Sequence, residues 1–268
     1  MGTTAIFGAG VMGETLLSGL LRSGRARDEI VITEKRAEHA EKLRTQYGVR
    51  VLGNAEAAEM ADTAVLVVKP QDMDALIAEI REHITPGKLV VSLAAGIPTA
   101  FLESRLPVGS SVVRVMPNTP ALVDQGMSAI SAGRNCTAAH LAEAEALLAS
   151  CGKVVQVPEK YQDAVTAISG SGPAYIFYVV ESMIEAGVLL GLPRATATEL
   201  VVQTLYGAAT MLRETGDHPT VLRERVSSPG GTTIAAIRQL ENHRVRAAFM
   251  TAMEAAAARS AELAAGLE

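Results

Sequence analysis

The chain has 268 residues and a formal net charge of −5, so one large domain or two modest ones are expected. Hydrophobic residues make up 49% and charged residues 20%, which is typical of a globular protein with a substantial core. Aromatic residues make up 3% and tryptophan is absent, so the core must be built largely from aliphatic side chains and methionine. No basic run or aromatic-studded basic patch occurs, which argues against nucleic-acid binding.

Targeting and redox features favour a cytoplasmic protein without a membrane span. The start, MGTTAIFGAG, lacks the basic region and long apolar stretch of a signal peptide. The apolar stretch from Ala174 to Leu192 is interrupted by Glu181 and Glu185, which argues against a span. Cys136 and Cys151 form no C-x-x-C pair and are expected to be reduced, buried thiols. The histidines are scattered, so no metal is expected.

The first half of the chain alternates strand and helix patterns. Apolar, β-rich runs predict strands at 3–7, 29–33, 49–52, 63–68, 89–93 and 111–115. Helical spacing predicts helices at 11–23, 37–47, 72–83 and 99–105. Two further strands, at 127–131 and 153–157, flank a helix at 138–150. Strands that alternate with helices indicate a parallel sheet with crossover connections.

The strand signal ends near residue 158, and the rest of the chain has a helical pattern. Helices are predicted at 161–190 and 193–215, then in shorter pieces, and from 244 to the end. Pro193 fits the first turn of a helix, and Gly216 fits the position just after one. We therefore expect an α/β domain at 1–157 and an all-helical domain at 158–268. Residues 168–192 carry only two charges, Glu181 and Glu185, so we expect the helical domain to bury surface against another subunit.

A glycine-rich motif at the N-terminus predicts a dinucleotide site. The segment Gly8-Ala9-Gly10-Val11-Met12-Gly13 matches G-x-G-x-x-G between an apolar strand and an amphipathic helix. Such glycines permit a tight turn, approach of the backbone to a pyrophosphate, and close helix packing. The helix start then offers amides and a positive dipole end to the phosphates.

The end of the second predicted strand leaves the cofactor preference open. Glu34 lies where an acidic residue would hydrogen-bond the ribose 2′-hydroxyl of NAD. Lys35 and Arg36 would instead suit the 2′-phosphate of NADP. The same three residues also fit a solvated helix start.

Two small-residue segments follow later strands of the predicted sheet. They are Val67-Val68-Lys69-Pro70 and Ser92-Leu93-Ala94-Ala95-Gly96. Open α/β sheets bind ligands at the carboxyl ends of their strands, where small residues let a nicotinamide approach the backbone. Taken alone, each segment also fits an ordinary turn.

The helical half contains two clusters of small polar residues. The first, Val226-Ser227-Ser228-Pro229-Gly230-Gly231-Thr232-Thr233, lies immediately before a predicted helix. Its hydroxyls and helix-start amides predict a carboxylate site, since N-capping by Thr232 alone would need only one hydroxyl. The second, Ile168 to Tyr175, opens space beside a ligand or another chain, or is a plain helix junction.

Five motifs together resemble those of the pyrroline-5-carboxylate reductase family in order and spacing. They are Gly8–Gly13, Val68–Pro70, Arg114–Pro120, Ser169–Tyr175 and Val226–Thr233. The resemblance covers almost the whole chain, and Ser227–Thr233 with its following helix is the most specific part. It implies an N-terminal Rossmann-type domain with a parallel sheet, then an all-α dimerisation domain. It also implies a homodimer or larger homo-oligomer whose active site lies between the cofactor domain and helices shared across the dimer.

The resemblance implies NAD(P)H-dependent reduction of the cyclic imine 1-pyrroline-5-carboxylate to L-proline, the last step of proline biosynthesis. Thr233 is expected to hydrogen-bond the ring nitrogen and assist its protonation, and Glu159 matches an acidic position near the substrate. The substrate carboxylate is expected to contact Ser228, Gly230, Gly231 and Thr232. Besides Glu34, Lys35 and Arg36, the expected cofactor contacts are Gly8, Ala9, Gly10, Val11, Met12, Gly13, Asn54, Val68, Lys69, Pro70, Leu93, Ala94 and Ala95.

The expected cofactor is NADP, with NAD as the alternative. Residues 33–36 differ from the Asn-Arg or Ser-rich strand ends that are common in NADPH-preferring members of the family. The preference between the two cofactors therefore stays open at the level of the sequence.

Two other functions are compatible with a dinucleotide-binding domain followed by helices. A β-hydroxyacid or 6-phosphogluconate-type dehydrogenase would take an acid–base lysine from its helical domain, but no lysine follows Lys160. A non-catalytic dinucleotide-binding regulator would not need the hydroxyl-rich helix start at 227–233. NAD(P)H oxidation on addition of pyrroline-5-carboxylate separates all three.

Overall fold

The computed structural model describes residues 2–265, which form two compact units. The first unit takes in the residues up to Gly172 and those from Ala256 onward, and the second spans Pro173–Ala255. Residue 1 and residues 266–268, at the outer ends of the expected domains 1–157 and 158–268, lie outside the described part. The first division between the units lies between Gly172 and Pro173. The expected domain boundary at residue 157 stays a prediction.

The first unit is built on an eight-stranded sheet in the order β3-β2-β1-β4-β5-β6-β7-β8. Its strands are β1 Thr4–Phe7, β2 Ile30–Thr33, β3 Arg50–Val51, β4 Thr63–Leu66, β5 Leu89–Ser92, β6 Ser111–Met116, β7 Gly126–Ala132 and β8 Gly152–Gln156. Every neighbouring pair is parallel except β6 and β7. The α/β class expected from the alternating pattern is confirmed.

Helices connect these strands and cover the sheet. They are α1 Val11–Arg22, α2 Ala37–Tyr47, α3 Asn54–Met60, α4 Met73–Ile80, α5 Thr99–Arg105 and α6 Ala138–Leu148, and a short α7, Gln162–Val165, follows the last strand. The predicted helices at 37–47 and 99–105 have these bounds, and the one predicted at 72–83 continues beyond α4 as a 3-10 turn, Arg81–His83. Helix α3 was not predicted, because its seven residues are Ala- and Glu-rich and bury only Ala57 and Ala58.

The core lies on both faces of the sheet. Ile6 of β1 faces one apolar cluster with Leu17 of α1, whereas Phe7 faces the other with Met73 of α4. All four residues of β1, β2, β4 and β5 are buried. Parallel strands covered on both faces have this continuous apolar pattern, which explains why the central strands were recognisable in the sequence.

Strand β7 departs from the parallel arrangement because no crossover helix precedes it. The link after β6 holds a 3-10 turn, Thr119–Val123, and β7 then returns beside β6. Asn118 fixes this link, since its Oδ1 accepts from the Met127 amide at 2.8 Å and its Nδ2 donates to the Ser169 carbonyl at 3.2 Å.

The helical run predicted at 161–190 is interrupted near the cluster from Ile168 to Tyr175, for which a helix junction was one of the alternatives. After α7 the chain forms a π-helix, Thr166–Gly170, and only then the long α8, Gly172–Leu189. Gly170 lies against Met116, where a Cβ would be 2.3 Å from the methionine Cε. Because Gly170 has no side chain, the backbone of the π-helix comes close to Met116 at the end of β6. Gln162 of α7 is fully buried, and its Nε2 donates to Ser131 Oγ at 2.8 Å.

The second unit is helical throughout. After α8 come α9 Arg194–Thr215, α10 Pro219–Arg225, α11 Thr232–Asn242 and α12 Val245–Ala265. Within Pro173–Ala255, Ala197 is the one buried residue. Phe177, Tyr178 and Leu189 are 66%, 72% and 87% exposed. Among residues 2–265, no helix is both long and apolar enough to cross a membrane.

Helix α12 ends in the first unit. Ser260 Oγ donates to Asp163 Oδ1 at 2.7 Å, across 97 positions of sequence. Further along, Ala264 and Leu263 lie beside Gly96, with backbone atoms 3.8 and 3.9 Å from where a Cβ of Gly96 would be. The last turns of α12 therefore pack on the loop that follows β5.

Both cysteines are free thiols, and of the two that were expected to be buried only Cys151 is. Cys151 is buried, and a Cβ on Gly19 of α1 would lie 2.4 Å from its sulfur. Cys136 is half-buried, and its Sγ lies 2.9 Å from the Val112 carbonyl oxygen. Burial raises the pKa of both thiols, which keeps them protonated and poorly reactive at neutral pH.

Candidate active site

The glycine-rich loop passes directly from β1 into α1. Gly8 has a φ of +94°, which side chains rarely adopt, and a Cβ there would lie 3.1 Å from the Val67 carbonyl oxygen. A Cβ on Gly13 would lie 2.1 Å from the Gly8 carbonyl oxygen. Gly10, by contrast, has no described atom within 4 Å of its Cβ position, apart from its own neighbours. Two glycines are thus required by the backbone, and one leaves open space.

The start of α1 is arranged to accept an anion. Gly10 is its N-cap residue and provides no side-chain acceptor, so the first amides of the helix lack that partner. Val11, the first helical residue, is 70% exposed, whereas Ala9 is fully buried. Unpaired amides and the positive end of the helix dipole suit a phosphate or pyrophosphate. The open space at Gly10 lets that group approach the backbone.

The end of β2 carries a nearly buried carboxylate. The Glu34 side chain is 6% exposed, and Arg36 is bound to it in three places. The Arg36 amide and Nε donate to Glu34 Oε1 at 2.9 and 3.0 Å, and Nη2 donates to Oε2 at 3.1 Å. The Arg36 guanidinium therefore holds the pKa of Glu34 below its ordinary value, against the opposing effect of burial.

Lys35 and His39 flank this carboxylate differently. The Lys35 side chain is 81% exposed, and its Nζ lies 3.6 Å from Asp72 Oδ1. His39 is on α2, and its Nε2 lies 2.9 Å from the Ala9 carbonyl oxygen. A carbonyl can only accept, so this nitrogen donates its hydrogen to the glycine-rich loop. The same nitrogen is 4.0 Å from Glu34 Oε2.

The segments after β4 and β5 lie where the sequence predicted. Val68 and Pro70 are half-buried and Lys69 is exposed. Leu93 and Ala94 are buried, at 8% and 4%, and Ala95 is exposed. Asn54 lies at the start of α3, where its Nδ2 donates to Glu79 Oε2 on α4 at 2.7 Å.

These segments meet at one edge of the sheet. Strands β2, β1, β4 and β5 are parallel neighbours, so residues 8–13, 34–36, 68–70 and 93–95 all follow carboxyl ends. The strand order reverses between β1 and β4, which is the switch point where open α/β sheets bind dinucleotides. The first unit therefore brings together the predicted cofactor residues on these four strands.

The hydroxyl-rich cluster of the second unit forms the start of α11. Gly231 is the N-cap residue and Gly230 has a φ of +67°. Of the four hydroxyls, the Ser227 Oγ donates to the Arg223 carbonyl at 2.7 Å. Those of Ser228, Thr232 and Thr233 make no hydrogen bond to any described residue, and Thr232 does not cap the helix. The cluster thus presents free hydroxyls beside the open amides of a helix start.

Glu159 lies in the first unit and is held by two residues. Its Oε1 accepts from the Thr99 amide at 2.7 Å, and its Oε2 accepts from the Thr99 hydroxyl at 2.6 Å. Arg114 Nη1 lies 3.3 Å from Oε1, with its side chain 8% exposed. Because Thr99 begins α5, the carboxylate fixes the point where the loop after β5 enters that helix. Its expected contact with substrate stays a prediction.

Three contacts at this edge were not anticipated from the sequence. They are His39 on Ala9, Asn118 on Ser169, and Arg114 on Glu159. Arg114 carried the clearest signal, since it is a cation within an otherwise apolar buried strand. Within residues 2–265, no group of three or more His, Cys, Asp or Glu side chains is placed to hold a metal.

Family models match both halves of the chain. Residues 159–263 match the model described as pyrroline-5-carboxylate reductase dimerisation. Residues 3–96 match the model described as NADP oxidoreductase coenzyme F420-dependent. The first match covers most of the helical half and the second covers the strands and loops of the sheet edge.

Individual relatives match over nearly the whole length. Pyrroline-5-carboxylate reductase of Corynebacterium melassecola is 47% identical, over 98% of this chain and 99% of its own. A solved pyrroline-5-carboxylate reductase from Coxiella burnetii superposes with a TM-score of 0.94 at 35% identity, covering 98% of both chains. The Plasmodium falciparum pyrroline carboxylate reductase, solved with NADP bound, gives a TM-score of 0.88 at 29% identity over 98% of both chains.

Proposed function

The chain belongs to the pyrroline-5-carboxylate reductase family, and on this basis we propose how its residues reduce 1-pyrroline-5-carboxylate to L-proline. The reaction is an NAD(P)H-dependent reduction of a C=N bond and the last step of proline biosynthesis. One observation carries the proposal: the chain has an open, glycine-lined helix start at its sheet edge and a second helix start, at α11, with free hydroxyls.

The residues of the sheet edge fit a nicotinamide dinucleotide. The amides of Val11, Met12 and Gly13 would bind the pyrophosphate, which is supported by the uncapped start of α1 and the open space at Gly10. The segments 68–70 and 93–95 would line the nicotinamide half. When bound, the reduced dinucleotide supplies the hydride.

The start of α11 would bind the substrate carboxylate. A carboxylate at a helix N-terminus gains charge-assisted hydrogen bonds from the amides and a favourable interaction with the helix dipole. Gly230 and Gly231 let the carboxylate reach the backbone. Ser228 and Thr232 add hydroxyl donors that make no hydrogen bond to a described residue. This set of donors needs no arginine or lysine.

Thr233 would contact the ring nitrogen and assist its protonation. Its hydroxyl is on the first turn of α11, beside the proposed carboxylate donors, and has no described protein partner. A protonated cyclic imine is already electrophilic, so the protein needs mainly to hold its carbon in the correct place. The absence of lysine beyond Lys160 is consistent with chemistry that uses no acid–base lysine.

The test is a spectrophotometric assay on the purified protein. Adding 1-pyrroline-5-carboxylate should oxidise NADH or NADPH and form one proline for each reduced cofactor consumed. A β-hydroxyacid with the oxidised cofactor serves as the control for the dehydrogenase alternative. If neither reduced cofactor were consumed in the presence of the imine, the proposed reaction would be excluded.

We further propose a homodimer or larger homo-oligomer, located in the cytoplasm. Support for assembly comes from the dimerisation model that matches 159–263 and from the second unit, in which Ala197 is the one buried residue. A helix that is apolar on most sides requires cover, and a second copy supplies it. Support for the location comes from the free thiols of Cys136 and Cys151, which suit a reducing compartment.

A further inference from the structure

The Glu34 carboxylate is held by Arg36 and bordered by His39. Arg36 grips both of its oxygens, and the His39 ring lies 4.0 Å from Oε2. His39 cannot turn its Nε2 hydrogen to Glu34 without giving up the Ala9 carbonyl at 2.9 Å. With 6% of its side chain exposed, Glu34 has little room to move away from the end of β2.

This carboxylate keeps unused acceptor capacity. An ionised carboxylate offers about four lone-pair sites. Oε1 uses two of them for the Arg36 amide and Nε, whereas Oε2 accepts one hydrogen from Nη2. A remaining site on Oε2 can accept a hydroxyl hydrogen, which a ribose 2′-hydroxyl supplies and a 2′-phosphate ester does not.

We propose that Glu34, held by Arg36, makes this reductase prefer NADH to NADPH. The inference rests on the proposed function, because it concerns which dinucleotide occupies the sheet edge. The 2′-phosphate of NADPH carries about two negative charges. At this strand end it would face an ionised, almost buried carboxylate, and like charges at short range repel strongly where water is excluded.

The neighbouring cations do not remove this conflict. Arg36 is already bidentate on Glu34, so binding a phosphate would mean sharing or leaving the carboxylate. If Arg36 left the carboxylate, Glu34, whose side chain is 6% exposed, would lose its main hydrogen-bond partner. Lys35 is 81% exposed and lies against Asp72 at 3.6 Å, so it would add an exposed contact of small energy.

The experiment compares both cofactors on the full-length protein and on Glu34→Gln. The wild-type kcat/KM should be about tenfold or more higher for NADH than for NADPH, the scale of one unfavourable charge contact. Glutamine keeps the size and an acceptor oxygen but removes the charge, so the preference should fall about tenfold, mainly through tighter NADPH binding. The ratio of the dissociation constant for NADPH to that for NADH, measured by nicotinamide fluorescence without substrate, should fall in the same way.

Glu41→Gln is the matched control, because Glu41 is an exposed acid on α2, which follows this strand end, and it pairs with Arg44. It should leave both dissociation constants unchanged. A wild type that favours NADPH, or a Glu34→Gln variant with an unaltered preference, would overturn the inference. Loss of turnover with both cofactors in the wild type would instead contradict the proposed function.

Discussion

The carboxylate of Glu159 accepts two hydrogen bonds from one residue, Thr99. One comes from the amide at 2.7 Å and the other from the hydroxyl at 2.6 Å, across 60 positions of sequence. Thr99 is 5% exposed and begins α5, just beyond the loop that carries Leu93 to Ala95. Glu159 therefore fixes the end of a loop that is expected to line the nicotinamide.

Glu159→Ala should destabilise the first unit by about 2 kcal/mol, because it leaves the nearly buried Arg114 and the Thr99 donors without an acceptor. The melting temperature should fall by about 4 °C or more. The KM for the reduced cofactor should rise as the loop after β5 loosens. Thermal unfolding and steady-state kinetics measure the two effects.

Glu159→Gln separates this positioning role from direct substrate contact. The amide oxygen can still accept from Thr99, so most of the stability and the cofactor KM should be restored. A glutamine variant of normal stability whose KM rises only for 1-pyrroline-5-carboxylate would show that Glu159 touches substrate instead.

Gly10 and Gly13 should respond in opposite ways to the same added methyl group. Gly10→Ala adds a methyl in open space, so the protein should fold normally while dinucleotide binding weakens about tenfold or more. Gly13→Ala places the methyl 2.1 Å from the Gly8 carbonyl oxygen, so stability should fall by about 2 kcal/mol or more. Melting curves and fluorescence titration distinguish the two. Normal cofactor binding by Gly10→Ala would mean that the pyrophosphate does not approach this backbone.

Thr233→Ala should lower kcat substantially, since loss of one transition-state donor costs about 2.7–4 kcal/mol. Cofactor binding should barely change, because Thr233 belongs to the α11 site and not to the sheet edge. Thr233→Ser keeps the hydroxyl and should recover most of the activity. Turnover by the alanine variant at the wild-type rate would remove Thr233 from the mechanism.

Light scattering at low micromolar concentration should give at least twice the chain mass of 28.0 kDa. We expect an interface that buries more than about 2,000 Å² in total, as in obligate dimers. Leu189→Asp, at a side chain that is 87% exposed in the single chain, should weaken association and lower stability together. A folded, active monomer at that concentration would contradict the expected assembly.

Much of the first unit could be predicted from the sequence because its signals are local. The strands of the sheet centre are short apolar runs, and each is followed by small or polar residues at its carboxyl end. Helix α3 was missed, since its seven residues have almost no apolar stripe. The π-helix at Thr166–Gly170 was missed as well, because the small residues there indicate an interruption but do not distinguish a π-turn from a plain helix junction.

The candidate site divides in the same way. Gly8, Gly10 and Gly13 were recognisable because their spacing follows from the turn that they make. The hydrogen bonds from Arg36 to Glu34 were not recognisable, since the same two residues also fit a solvated helix start. The bonds from His39 to Ala9 and from Thr99 to Glu159 join residues 30 and 60 positions apart. Only the fold brings such pairs together.

The hydrogen bond between Ser260 and Asp163 bears on how this enzyme can be dissected. The sheet-bearing unit consists of two separate segments of the chain. The end of α12 belongs to it, although the helical unit lies between the two segments in the sequence. A fragment that stops at Gly172 would lose the turn that covers Gly96. Grafting the sheet of one relative onto the helices of another would likewise have to carry the tail with the sheet. The two units therefore cannot be exchanged independently between relatives. Recombination between relatives should succeed only when both ends of the chain come from the same parent.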